Sequence, residues 1–159
     1  MKSSSASLLL KIVLAVSAAA LLFVVFWCFP VYMRHVVFVR PDLAGWAFPM
    51  EAYIGLMSIP VFACIVLLWQ VFGTLSGDNA FSMENASRFT VMKRLAIVDL
   101  GLAVLLAAFL LISGVIAEFI ILCMTVIFYL GVVSIIVFHV LAGLVRNAAE
   151  IKQDHELTI

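Results

Sequence analysis

Four long apolar runs, at residues 8–29, 52–75, 95–115 and 119–144, divide the chain, and most of its charges fall in the segments between and beyond them. Each run is near or above the roughly 20 residues that carry an α-helix across the hydrocarbon core of a bilayer. Barrel strands would be shorter and would alternate polar with apolar positions, which these runs do not do. In lipid a run of this length must satisfy its own N–H and C=O groups, and a helix does so. The pattern predicts an all-α fold, an integral membrane four-helix bundle forming one transmembrane domain over residues 1–159.

Composition sharpens this. The chain is 67% apolar and 11% charged, with a mean hydropathy of +1.29, against about 45–50% apolar and about 25% charged in soluble domains. Four spans leave only short connections, so no separate soluble catalytic domain is expected. Nine basic and nine acidic side chains cancel, and the scattered Lys and Arg form no basic surface for direct nucleic-acid contact. The small residues Ala18, Ala19 and Ala20 imitate a signal-cleavage site, but the apolar run continues to Phe29. That is well past a signal core, so the first span is expected to be retained.

Basic residues beside the spans set the expected orientation. Lys2, Lys11, Arg88, Lys93, Arg94, Arg146 and Lys152 lie on one side, against Arg34 and Arg40 on the other. Both termini are therefore expected in the cytoplasm of a bacterial inner membrane. The outer loop would cover residues 30–51, and a tight outer turn would join the third and fourth spans into an antiparallel hairpin. The outer segment mixes Tyr32, Phe38, Trp46 and Phe48 with Arg34, Arg40 and Asp42, as suits a membrane interface.

The inner connection carries a helix start. Gly77, Asp78 and Asn79 read as a turn, Ser82 as the N-cap, Glu84 as a first-turn acid, and Phe81 as a staple onto Ala86. The third helix should begin near Met83 and, if it runs to Ser113, reach about 45 Å, longer than the hydrocarbon core. The fourth should continue past Leu144 through RNAAEIKQD, which nothing breaks. Phe81, Phe89, Leu157 and Ile159 are the candidate anchors for a docking partner on this side, a juxtamembrane helix without a partner being the simpler reading.

These cytoplasmic segments carry a resemblance. AFSMENASRFTVMKRLAI, the preceding EAYIGLMSIPVFACIVLLWQVFGTL and the closing EIKQDHELTI resemble the small bacterial four-span membrane proteins of the YoaS-like family, a domain family of unknown function. His155, Glu156 and Leu157 stand where an acidic-Asn-Asp-Leu ending is expected. The resemblance implies a membrane partner for a small helix-turn-helix transcription factor, and it supplies no catalytic residues.

Candidate chemistry is sparse. Cys28, Cys64 and Cys123 lack metal or redox spacing, His35, His139 and His155 are far apart, and no phosphate loop or nucleophile elbow occurs. A non-enzymatic interaction protein without cofactor or metal is expected; the alternative is a small transporter, channel or stress sensor. The alternative would use a polar layer. If the hairpin centres near Phe119, Asp99 and His139 are each twenty positions from its tip, at the depth of Lys11 and Gln70. Such groups are costly in lipid unless paired and turned inward. Asp99 and His139 could then be a proton- or cation-responsive pair or a structural clamp, with Lys11 snorkelling to the interface.

Overall fold

The first apolar run does not end its helix at Phe29. In the computed structural model, which describes residues 2–74, 80–113 and 118–157, with side chains at 5–74, 80–113 and 121–154, α1 (Lys2–Phe23) passes through a π-helical segment (Val24–Cys28) into α2 (Phe29–Val39). Pro30 explains the π segment. Its ring would clash with the carbonyl four residues back, and it has no N–H to bond that carbonyl. Wider bonding, in which the Phe29 N–H donates to the Val24 carbonyl, lets the helix continue.

Arg40 ends α2 at φ −129° and ψ 81°, because a following proline disfavours helical dihedrals and Pro41 comes next. The Arg40 guanidinium donates to both Asp42 carboxylate oxygens, at 3.0 and 2.9 Å. A 3-10 turn (Pro41–Leu43) then leads directly into α3 (Ala44–Thr74), which continues through Pro49 and Pro60. The loop expected at residues 30–51 is thus almost wholly helical. Its aromatic and charged residues resemble a loop in composition, but residues 29–39 contain no glycine and place their proline in the first turn, where a helix tolerates it.

The inner helix start is where the sequence puts it. Ser82 caps α4 (Met83–Ile112), its hydroxyl accepting the Asn85 N–H at 3.2 Å, with Glu84 in the first turn. Phe81 stays 58% exposed while Ala86 is 1% exposed, so the expected staple adds little. α5 (Glu118–Leu157) has 40 residues, about 60 Å at 1.5 Å per residue. It runs past the apolar region, as its unbroken sequence implies. The turn expected at Gly77, Asp78 and Asn79 lies outside the described residues.

The spans pack in chain order: α1 with α3, α3 with α4, and α4 with α5. Two buried clusters hold this open bundle together. Val71, Ala86, Phe89, Met92, Ala142 and Val145 form one, near the end that carries the termini; Met57, Ala103, Leu106 and Leu110 form the other. At the far end the Tyr53 hydroxyl donates to the Leu102 carbonyl at 2.7 Å, and Trp46 and Phe109 meet with ring centroids 5.0 Å apart. Outward faces are strongly apolar, with Phe26 68%, Leu105 62% and Leu122 61% exposed. Four helical stretches are long and apolar enough to cross a membrane, and such faces are at home against lipid.

Candidate functional site

The end of the bundle that carries the termini is organised around Asn85, which is fully buried. It lies on the stripe Asn85, Phe89, Met92, spaced four and three apart, that α4 turns into the core. The Asn85 amide nitrogen donates to Thr74 Oγ1 at 2.7 Å and to the Ala80 carbonyl at 3.0 Å. Its Oδ1 accepts from Arg88 at 2.7 Å, and Arg88 also donates to Glu84 at 2.6 Å. One side chain therefore ties the end of α3 to Ala80, two residues before the Ser82 cap, and to the first two turns of α4. A buried amide so fully bonded fixes geometry, because any other arrangement leaves polar groups unpaired. Sequence reasoning passed over Asn85; its signal is an amide on an otherwise apolar helical stripe.

Phe89 is 7% exposed within the same core, which removes it from the docking anchors. The helical period that buries Asn85 also buries the residue four positions on. Phe81 precedes the helix and remains at the rim beside Met83, which is 44% exposed. Ile159 and the side chain of Leu157 lie outside the described residues.

A family model, "Protein of unknown function (DUF2975)", matches residues 31–159, from α2 to the C-terminal tail. The chain belongs to the DUF2975 family. No curated protein and no solved structure matches it.

In this DUF2975 protein the four candidate polar residues do not assemble. A Cβ added at Gly131 would lie 3.0 Å from Leu100 Cδ1, so α4 and α5 are in register about residue 115 rather than Phe119. Asp99 then sits level with Val132, about seven residues or ~10 Å along the helix from His139. His139 instead lines a groove with Thr90 and Lys93. Lys11 lies against α3: its Nζ is 5.7 Å from the Trp69 ring centroid and 3.6 Å from where a Gly73 Cβ would be, a cation–π arrangement. Gln70, one residue on from Trp69, is exposed, as is His139. The four thus remain apart, with Lys11 against α3, Gln70 exposed on α3 and His139 in the groove beside Lys93. Asp99 stands deeper, its buried Oδ1 without a hydrogen-bond partner among the described residues.

Proposed function

We propose that this DUF2975 protein is a non-enzymatic membrane anchor for a soluble regulator of the helix-turn-helix type, a YoaS-like member of the family that lies in a bacterial inner membrane with both termini cytoplasmic. The excess of basic residues at the termini-bearing end, seven against two, supports that orientation. The observation that carries the docking reading is Phe81, 58% exposed and next to Ala80, whose carbonyl accepts from the Asn85 amide. A fixed apolar side chain at a membrane rim costs a partner little ordering entropy. The extension of α5 past the apolar region adds a second surface leading to Leu157 and Ile159.

Pull-down of the full chain in detergent tests this. Phe81→Ala, or deletion of residues 156–159, is expected to reduce capture of a helix-turn-helix protein about tenfold or more, as loss of a buried anchor does, while membrane insertion is unchanged. Equal capture by both variants and the parent chain would contradict the proposal. The transporter, channel or sensor alternative has one observation in its favour, the unpartnered Asp99 Oδ1, but the layer it would use is not assembled around that residue.

A further inference from the structure

At the termini-bearing end a groove of ≈ 430 Å³ runs between α4 and α5. Lys93 approaches it from α4 and Arg146 from α5, and His139 and Asn147 add polar groups. Among the described residues no acidic side chain lines it; Glu84 is held by Arg88, and Glu150 lies one turn beyond Arg146 on α5. Neither Lys93 nor Arg146 forms an ion pair among the described residues. Two cations from different helices therefore converge on a space with no acidic side chain of the described residues in it.

The groove's depth identifies the anion. On α4 the apolar run begins at Leu95, two residues after Lys93; on α5 it ends at Leu144, two residues before Arg146. Arg146 thus stands at the hydrocarbon boundary, where lipid phosphates lie, while Lys93, level with Phe138 in the register set by Leu100 and Gly131, starts about 12 Å deeper and lines the same groove. Val140 and Leu144, 50% and 61% exposed, form an apolar lip on the same groove. Ala142 and Gly143 keep its floor low, and a Cβ added at Gly143 would meet nothing within 4 Å. Positive side chains next to an apolar lip suit a molecule that is anionic at one end and hydrocarbon at the other.

We propose that this groove binds the phosphate headgroup of an anionic phospholipid between α4 and α5, with Lys93 and Arg146 pairing the phosphate and Val140 and Leu144 contacting the start of the acyl chains. Basic pockets between membrane helices recognise lipid headgroups in this way. The site does not depend on partner docking at Phe81.

Native mass spectrometry of the full chain released from detergent is the test, with phosphatidylglycerol, phosphatidylcholine and inorganic phosphate as probes. The parent chain is expected to retain phosphatidylglycerol in preference to phosphatidylcholine. The double variant Lys93→Gln with Arg146→Gln should lower that retention about tenfold or more, given the contribution of each basic group near a charged bilayer. Gly143→Leu provides a second route, since it fills the groove without removing charge and points into open space, so the fold is kept. Equal retention of the two lipids, or unchanged retention in both variants, would overturn the site. Displacement of phosphatidylglycerol by millimolar inorganic phosphate would overturn the lipid assignment, because a free phosphate would then satisfy the groove without the apolar lip.

Discussion

Asn85→Ala is expected to destabilise the protein by about 2–4 kcal/mol, because it leaves several buried polar groups without partners. The Ala80 carbonyl and one Arg88 nitrogen each lose a bond, and Thr74 Oγ1 loses the donor it accepts from. Thr74 still donates to the Val71 carbonyl at 2.7 Å, so its loss is partial, whereas the Ala80 carbonyl faces a cavity. Asn85→Asp should be comparably harmful: it preserves the acceptor for Arg88 but sets a carboxylate oxygen against the Ala80 carbonyl. Unfolding in mixed detergent micelles, followed by far-UV circular dichroism, measures both. An Asn85→Ala protein as stable as the parent would mean that the bonds around Asn85 do not hold the end of the bundle together.

The second large effect is expected at Gly131, where Leu100 of α4 packs against the backbone of α5. A Cβ there would lie 3.0 Å from Leu100 Cδ1 and 3.8 Å from Leu100 Cβ. Gly131→Ala can be accommodated by rotating the flexible end of Leu100, and the greater helix propensity of alanine offsets part of the cost. Gly131→Leu cannot, since its isobutyl group would occupy the space of Leu100 itself. It should cost about 2–3 kcal/mol, as overpacking does. Adding Leu100→Ala to Gly131→Leu should restore more than half of the loss, the non-additivity expected of residues in contact. Were the two substitutions simply additive, the register of the hairpin about residue 115 would be wrong.

That register shows where the sequence was silent. The hairpin itself was legible, because two apolar runs flank a connection too short for anything else. Its centre was not. Moving the centre from Phe119 to the midpoint between residues 115 and 116 shifts one helix against the other by about seven residues, which is nearly two full helical turns. Such a shift leaves the same residues facing the same neighbour, so neither hydropathy nor periodicity registers it, yet it moves His139 away from Asp99 and beside Lys93. Local chemistry was more readable. Ser82 as cap, Met83 as first helical residue and the continuation of α5 depend on a few adjacent residues, and the structure has all three. Asn85 was missed because its partners, Thr74 and Ala80, come from across the turn. The same distance dependence separates Phe81, whose exposure is set by its place before the helix, from Phe89, which the helix carries into the core.

Both the docking surface at Phe81 and the lipid groove at Lys93 and Arg146 belong to the end of the bundle that holds the termini, so the side of the membrane on which that end lies is the decisive quantity. In a background with Cys28, Cys64 and Cys123 replaced by alanine, single variants Asp42→Cys, Gly77→Cys and Ile159→Cys can be treated in intact bacterial cells with a membrane-impermeant maleimide. The seven-to-two distribution of basic residues leads to labelling of Asp42→Cys in intact cells and of Gly77→Cys and Ile159→Cys only after lysis. Labelling of Gly77→Cys and Ile159→Cys in intact cells, with Asp42→Cys protected, would place the termini outside and contradict cytoplasmic docking.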